Sequence, residues 1–302
     1  MTELSLLIAD DWADYALLDS GDGRKLERAG GYAFVRPEPQ ALWRPRLDSA
    51  RWDGADAIFA GQSGDDEDAG RWRFNRPLPE RWPMAWAGLK FLSRPTPFRH
   101  LAFFPEHSVH WRFAKSRLAA RAPGAPPAEV LNLFGYTGLA SLACASAGAR
   151  TTHVDASKKA IGMARDNQIE AGLAEAPIRW IADDALTFVK REGRRGRRYD
   201  GIILDPPKYG RGPNGEIWRL EEGLGELLDA CAAILAPGGF VIATLYAVRL
   251  SALSLASAAR DAFGAAGTWE SGEMCLPHAS DDRLLSTAIF TRGSGLSGAL
   301  LP

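Results

Sequence analysis

The sequence predicts an α/β chain in which a parallel sheet covered by helices follows a smaller β-rich region. The apolar run Val130 to Leu133 is typical of a buried parallel strand, and a glycine turn and an alanine-rich helix at 139–147 follow it. Acidic residues end three successive predicted strands of this part. Residues 1–100 differ, because short β-type runs alternate there with turn-forming residues.

Composition is ordinary for a soluble globular protein, with 46% hydrophobic and 24% charged residues among 302. The net charge of −1 provides no global attraction for nucleic acid. The three cysteines are too few and too dispersed for a metal site or a disulfide framework. Asp10, Asp11 and Asp14 interrupt the apolar run near the N-terminus, so we expect no signal peptide, no membrane span and a cytoplasmic location.

Residues 1–100 are predicted to form a small antiparallel β subdomain, and residues 101–302 a larger domain. Seven of the ten tryptophans lie between Trp12 and Trp111. These side chains could form the core of the subdomain or a surface on which bases stack. The acidic, glycine-flanked segment 61–70 is predicted to be a flexible hairpin tip.

The larger domain begins with a strand, a turn containing Gly135 and Gly138, and a helix, which is the start of a dinucleotide- or nucleoside-binding βαβ unit. The second strand, at 150–154, ends on Asp155. A carboxylate about twenty residues after such a turn is placed to accept both hydroxyls of a ribose. Thr137 is placed to cap the first helix of this unit and Ser157 the second.

A third predicted strand, at 178–181, is followed by Asp183 and Asp184, and a fourth, at 201–204, by Asp205. All three strands would therefore carry acids at their carboxyl ends, the edge at which open α/β sheets bind ligands. The simpler explanation for these acids is helix capping at strand-to-helix junctions.

The turn lacks the third glycine expected for a nicotinamide cofactor held by its pyrophosphate, and the ordered carboxylates suit S-adenosyl-L-methionine (SAM) better. The stretches 132–138, 153–157, 182–185 and 205–209 resemble motifs of the class I SAM-dependent methyltransferases. The resemblance covers about residues 100 to 292 and is closest to the branch with the large-subunit ribosomal-RNA cytosine methyltransferases. It implies a Rossmann-like seven-stranded sheet of order 3-2-1-4-5-7-6, with the seventh strand antiparallel.

The resemblance also implies roles for particular residues. Asp184 would accept from the adenine amine, with Asp183 as the alternative because the pair leaves the register ambiguous. Phe104, Glu106 and His107 would border the cofactor, although they also fit a simple connecting loop. The residues expected at the cofactor site are Phe104, Glu106, His107, Asn132, Phe134, Gly135, Tyr136, Thr137, Gly138, Asp155, Ala156, Ser157, Asp183, Asp184, Ala185 and Asp205.

The candidate catalytic residues are Asp205, Pro206, Pro207, Lys208 and Tyr209. In amino-methylating relatives this motif accepts hydrogen bonds from an exocyclic amine, and its fourth position is aromatic. Here that position is Lys208, with Tyr209 next. The resembling cytosine enzymes carry a cysteine after the fifth strand, and the corresponding stretch 243–248 has none, so we expect chemistry other than cytosine-C5 methylation.

Helices are predicted at 108–121, 216–235 and 251–264, and the last two strands at about 267–275 and 283–292. The cationic run Lys190 to Arg198 could be a solvated helix end or a contact for an RNA backbone.

The sequence therefore predicts a SAM-dependent methyltransferase that modifies a base in RNA, with ribosomal RNA favoured, and with no metal and no membrane partner. The alternatives are a methyltransferase for protein or a small molecule, an NAD-type Rossmann oxidoreductase, and a non-catalytic SAM- or RNA-binding module. The oligomeric state is left open.

Overall fold

The structure is a computed structural model that describes residues 3–61, 70–97, 99–246 and 249–298. The chain divides into two compact units. The larger unit comprises Met1–Leu7, Val109–Met274 and Ala288–Pro302, and the smaller unit comprises Ile8–Ser108 and Cys275–Thr287. These bounds differ from the predicted 1–100 and 101–302, since both units are discontinuous in sequence. One cause is a β-bridge between Leu17 and His278, which draws the late segment 275–287 into the smaller unit.

The strands and helices of the described residues are numbered in chain order. The strands are β1 (Leu4–Ile8), β2 (Tyr15–Gly21), β3 (Arg24–Ala29), β4 (Tyr32–Pro37), β5 (Ala57–Gly61), β6 (Gly70–Phe74), β7 (Trp82–Trp86), β8 (Leu89–Ser93), β9 (Glu129–Leu133), β10 (Arg150–Asp155), β11 (Ile178–Ala182), β12 (Tyr199–Leu204), β13 (Tyr209–Arg211), β14 (Ile217–Arg219), β15 (Leu235–Leu245), β16 (Thr268–Pro277) and β17 (Leu284–Leu296). The helices are α1 (Ser49–Asp53), α2 (Ser108–Ala119), α3 (Leu139–Ser146), α4 (Lys158–Glu170), α5 (Ala185–Arg194), α6 (Leu220–Ile234) and α7 (Ala252–Phe263). None of these helices is both long and apolar enough to cross a membrane.

The larger unit is organised around an eight-stranded sheet of order β1-β16-β17-β15-β12-β9-β10-β11. Strands β9, β10, β11, β12 and β15 pair in parallel, and β17 is antiparallel to β15. Read from β11, the first seven strands follow the predicted order 3-2-1-4-5-7-6, which confirms the Rossmann-like fold. The eighth, β1, is an additional edge strand.

Both faces of this sheet are covered, as expected for parallel strands whose side chains point alternately to opposite sides. On one face Leu131, Leu133, Ile202 and Leu204 belong to a core cluster that includes Phe188 of α5. On the other face the alternate residues, such as Val130, Ile203 and Ile242, pack with α2 and α3. Burial of each such aliphatic side chain stabilises the fold by about 1.5–3 kcal/mol.

The smaller unit is β-rich, as predicted. Its main sheet has the order β2-β3-β4-β5-β6, and β7 and β8 form a separate antiparallel pair. The pairs are antiparallel except β4 with β5, which are parallel. The predicted acidic hairpin tip joins β5 to β6 and lies outside the described residues.

The tryptophans between Trp12 and Trp111 are all buried or partly buried. Trp52, Trp82 and Trp86 are at most 5% exposed. They form interior packing, so the structure favours the core interpretation over a base-stacking tryptophan surface.

The smaller unit also contains a buried cluster of charged side chains. Arg36 donates to Glu27 at 2.7 Å, the Tyr15 hydroxyl donates to the same carboxylate at 2.5 Å, and Lys25 donates to Glu38 at 3.1 Å. Burial alone would raise the pKa of Glu27, but Arg36 and Lys25 outweigh it and lower the pKa to about 2. The cluster is therefore charged at neutral pH.

One predicted helix begins later than expected. The prediction placed a helix at 216–235, whereas residues 217–219 form β14, which pairs antiparallel with β13, and α6 starts at Leu220. The two strands form a hairpin, called the 209–219 hairpin below. The helix prediction was wrong at its start because the strand-favouring Ile217 and Trp218 follow a glycine-containing turn. The other two helices lie within one or two residues of their predicted ends.

Candidate active site

Four segments meet at the carboxyl edge of the larger sheet. Val154 and Leu204 both pair with Leu133 in parallel register, and Asp155 pairs with Ala182. The turn after β9, Asp155, the acids after β11 and the loop after β12 therefore lie along one edge. This is the arrangement that the sequence motifs predicted.

The turn after β9 has an unusual backbone. Phe134, Tyr136 and Gly138 have φ angles of 55°, 48° and 84°, in the left-handed region. A Cβ at Gly138 would lie 2.9 Å from the Cβ of Ala164, and one at Gly135 would lie 2.3 Å from the ring of His153. Both positions therefore require glycine, and the close contacts that demand it are made by the protein itself.

A buried polar network supports this turn from below. Asn132 donates to the Ser141 hydroxyl at 2.9 Å, and that hydroxyl lies 3.0 Å from Nδ1 of His153. Burial lowers the pKa of His153 to about 3, so the ring is neutral. Asn132, predicted to contact the cofactor, is only 3% exposed and lies beneath the turn.

A second buried amide holds the end of the turn. Asn167 of α4 donates to the carbonyl of Thr137 at 2.9 Å. Thr137 was expected to cap the next helix, but Gly138 occupies the N-cap of α3 and no side chain caps it. That part of the prediction was wrong because the left-handed backbone at Gly138 displaces the cap by one residue. Neither Ser141 nor Asn167 was identified from sequence.

Asp155 connects the turn to the second strand. Its Oδ2 accepts the backbone N–H of Tyr136 at 2.9 Å, and its Oδ1 accepts that of Ser157 at 2.8 Å. Burial raises the pKa of this carboxyl, and the two backbone N–H groups oppose the shift. Ser157 caps α4 by accepting from Ala160, as expected, and Ala156 lies between the two polar residues. Each Asp155 oxygen keeps a lone pair for a further donor.

The two acids after β11 have different roles. Asp183 accepts the N–H of Asp184 at 2.9 Å and pairs with Arg191 at 2.6 Å, so both of its oxygens are engaged. Asp184 caps α5 through Oδ1, which accepts from Thr187 at 2.8 Å. Its Oδ2 has no partner within the described part of the chain. Ala185 is buried as the first residue of the helix.

The loop that follows β12 leads into the 209–219 hairpin. Asp205 is half-buried and Pro206 is buried, whereas Pro207, Lys208 and Tyr209 are exposed. The carbonyl of Pro207 accepts the indole N–H of Trp218 at 2.6 Å. The carbonyl of Lys208 accepts the backbone N–H of Leu220 at 3.0 Å. The ring of Trp218 also lies 5.3 Å from that of Phe134, in the turn after β9.

The remaining cofactor candidates belong to the smaller unit. Phe104, Glu106 and His107 lie at a 3₁₀ turn, Pro105–His107, in which Glu106 is 6% exposed. The ring of Phe104 lies 5.0 Å from His100 and 5.8 Å from His107. Their predicted place beside the cofactor stays a prediction.

The cationic run lies at the end of α5. Arg191 pairs with Asp183, Lys190 with Glu226, and Arg195 with the buried Glu192. Because α5 starts at the carboxyl edge of the sheet and returns the chain to β12, the end of the run, at 195–198, lies at the opposite edge. Much of the run is thus a paired helix end. Its Arg191 borders the candidate site through Asp183, and the residues after α5 are distant from that site.

No group of three or more histidine, cysteine or acidic residues is arranged to hold a metal ion in the ranges that the structure describes.

Comparison with known proteins identifies the family. The crystal structure of a SAM-dependent methyltransferase from Agrobacterium tumefaciens is 47% identical in sequence, covers 98% of this chain and 96% of its own, and superimposes with a TM-score of 0.91. This chain belongs to the family of SAM-dependent methyltransferases. Membership removes the oxidoreductase alternative, and SAM is the cofactor of this methyltransferase.

Curated relatives match only part of the methyltransferase. Ribosomal RNA large subunit methyltransferase K/L from Shewanella frigidimarina is 31% identical over 157 residues, which is 51% of this chain and 21% of the relative. Ribosomal RNA large subunit methyltransferase I from Klebsiella pneumoniae is 31% identical over 128 residues, or 42% of this chain and 32% of the relative. The chain thus spans about a fifth to a third of the length of these relatives. A family model described as conserved hypothetical protein 95 matches residues 117–222.

Proposed function

We propose that this methyltransferase transfers a methyl group from SAM to a base in RNA, with ribosomal RNA the favoured substrate. The observation that carries the proposal is the loop Asp205–Tyr209, which lies at the same sheet edge as Asp155 and continues into an exposed hairpin. The names of the curated relatives support an RNA substrate, although they share only part of their length with this chain.

The residues present fit the cofactor. Asp155 has lone pairs for both ribose hydroxyls while its backbone partners hold it in place. Of the two acids after β11, Asp184 is the better acceptor for the adenine amine, because its Oδ2 is available whereas Arg191 occupies Asp183. When bound, SAM would supply a methyl group on a sulfonium sulfur. The acceptor atom would form a bond to the methyl carbon in line with the carbon–sulfur bond that breaks, and S-adenosylhomocysteine would be the leaving group.

The loop after β12 would orient the acceptor. The Asp205 carboxylate and the Pro206 carbonyl are hydrogen-bond acceptors on a backbone whose φ is fixed at two successive prolines. An exocyclic amine that donates to both would turn its lone pair towards the methyl carbon. Such alignment is the main contribution that a protein makes to a displacement of this kind.

The outer face of the 209–219 hairpin has the chemistry of a nucleic-acid contact. Tyr209 pairs with Arg219, and Arg211 with Ile217, so these four side chains share one face. Tyr209 is 49% exposed and Ile217 60% exposed, and both arginines are exposed. An aromatic ring beside two guanidinium groups suits an unstacked base and its phosphates.

Cysteine chemistry is disfavoured. Cys144, Cys231 and Cys275 are free thiols at most 2% exposed. Burial raises the pKa of Cys144 to about 12 and that of Cys231 further. A thiol must ionise and reach the base to add at C6 of a pyrimidine, so the acceptor atom is one other than cytosine C5. Free thiols and an RNA substrate both suit the cytoplasm.

The test is methyl transfer from labelled SAM to total RNA and total protein of cells that lack the gene. The proposal is supported if the wild-type protein labels RNA, if the Asp205→Ala variant does not, and if Asp229→Ala, at an exposed residue of α6, still does. Label in protein alone would favour a protein methyltransferase. Asp205→Ala with full activity would remove the role given to the loop.

A further inference from the structure

Trp218 touches both halves of the candidate site. Its indole N–H donates to the carbonyl of Pro207 at 2.6 Å, and its ring lies 5.3 Å from that of Phe134, at an interplanar angle of 50°. Phe134 belongs to the turn expected to border the cofactor, and Pro207 belongs to the loop expected to orient the acceptor. One side chain therefore connects the two.

The ring of Trp218 is held in a single position. Trp218 is 6% exposed, and a Cβ at Gly223 would lie 2.8 Å from its ring. Glycine at that position lets the first turn of α6 approach the indole closely. Gly210 pairs with Trp218 across the hairpin. A Cβ at Gly210 would lie 3.8 Å from the Cβ of Trp218, so glycine leaves space beside the tryptophan on that strand. A side chain confined in this way can transmit the position of one segment to the other.

The hydrogen bond is not a general consequence of burial. The buried indole nitrogens of Trp52, Trp82 and Trp269 have no hydrogen-bond partner among the described residues. The chain thus tolerates buried tryptophans used for their apolar surface alone. Trp218 differs because its N–H is one of two hydrogen bonds that hold the loop after β12. The second runs from the N–H of Leu220 to the carbonyl of Lys208 at 3.0 Å.

We propose that Trp218 is a positioning residue for methyl transfer, which holds the loop at 205–208 in register with the turn at 134–138. This inference rests on the proposed role of Asp205. The bond from Trp218 fixes the peptide that follows the two residues expected to contact the acceptor, so the distance between acceptor and methyl group depends on it. Trp218 itself need not touch either substrate.

The decisive variant is Trp218→Phe, which keeps an aromatic ring against Phe134 but removes the indole donor together with part of the ring volume. Trp269→Phe is the matched control, because the same change in the same unit removes an N–H that bonds nothing in the described structure. We expect Trp218→Phe to lower kcat for methyl transfer by about 10- to 100-fold, the scale of a small misalignment of reacting groups. The dissociation constant for SAM should stay within about twofold, since the groups that hold it are unchanged.

Hydrogen exchange provides a readout that needs no acceptor. The backbone amides of Asp205 and of residues 208–212 should exchange about fivefold faster in Trp218→Phe, the scale of one lost hydrogen bond, and should be unchanged in Trp269→Phe. Unchanged exchange in Trp218→Phe, kcat within twofold of the wild type, or an equal loss of kcat in Trp269→Phe would each overturn the inference. Label in protein rather than RNA would instead overturn the proposed RNA substrate. The kcat of Trp218→Phe would then be measured with the labelled protein as acceptor.

Discussion

The carboxylate of Asp155 accepts the backbone N–H of Tyr136 at 2.9 Å, across the gap between the turn after β9 and the end of β10. This contact makes one acid responsible both for the shape of the turn and for the predicted binding of the ribose. The first prediction concerns the second role.

Asp155→Ala should weaken SAM binding by about 10- to 100-fold, the scale of losing charge-assisted hydrogen bonds in a partly buried site. Calorimetry with purified protein measures it, and Asp229→Ala, an exposed acid of α6, should bind SAM normally. An unchanged dissociation constant in Asp155→Ala would show that the ribose is held elsewhere.

The affinity for SAM should also depend on pH through the same carboxyl. Because burial raises the pKa of Asp155, its charged form is lost at a higher pH than that of an ordinary aspartate. Binding should therefore begin to weaken on acidification above the usual aspartate range. Asp155→Asn should lack this component, and an identical pH profile in that variant would contradict the assignment.

Asp184 and Asp183 should respond differently to substitution. Asp184→Ala is expected to weaken SAM binding by about tenfold, because the adenine amine loses its acceptor. Asp183→Ala should affect SAM less and stability more, since it leaves Arg191 without its ion-pair partner. Calorimetry and thermal unfolding of both variants distinguish the roles, and the reverse ranking for SAM would reassign the adenine contact to Asp183.

The buried cluster of the smaller unit should make that unit sensitive to acid. The pKa of Glu27 is about 2 in the folded chain against an ordinary value of 4.5, so its stabilising contribution is complete above pH 4.5 and is lost as the pH falls towards 2. Glu27→Gln should cost about 3 kcal/mol at pH 7, because Arg36 stays buried without its charged partner. Urea unfolding measures this.

Glu80→Gln is the matched control. Glu80 has an 87% exposed side chain, 3.6 Å from Arg94, so its loss should change the free energy of unfolding by less than about 1 kcal/mol. Equal effects of the two substitutions at pH 7 would contradict the account of the cluster.

Two double substitutions of arginine test whether the 209–219 hairpin or the cationic run at 190–198 contacts RNA. Arg211→Ala with Arg219→Ala should weaken RNA binding and reduce the slope of log affinity against log salt by about 1.4, at ~0.7 per phosphate contact with a single strand. Arg197→Ala with Arg198→Ala should leave the slope unchanged, because that segment lies at the opposite sheet edge. Binding of labelled RNA at several salt concentrations checks both, and the opposite result would move the RNA path to the end of α5.

Sequence predicted the fold well because its signals are local. The strand, the glycine turn and the acid after each strand are adjacent in the chain, and parallel pairing then places them at one edge. Edge strand β1 was not predicted, since its neighbour β16 lies far along the chain. Strand β14, at 217–219, was read as the start of a helix because short apolar runs are ambiguous between the two states.

The site was predicted less completely, because side-chain pairing depends on tertiary contacts. Sequence favoured Asp184 over Asp183 for the adenine contact but left the register ambiguous, and the bond of Asp183 to Arg191 supports the same choice. Ser141 and Asn167 were missed because polar residues on helices carry no signal of the buried partners they find. Trp218 was read as part of a helix, which hid its bond to Pro207.

We propose that this methyltransferase modifies a base in RNA at an atom other than cytosine C5. Mass spectrometry of total RNA nucleosides, with methyl-labelled protein in parallel, from cells with and without the gene tests it most directly. We expect that one methylated nucleoside other than 5-methylcytidine disappears from RNA when the gene is absent, and that it returns with the wild-type gene but not with Asp205→Ala. Loss of 5-methylcytidine alone, or of a mark on protein with RNA unchanged, would contradict it.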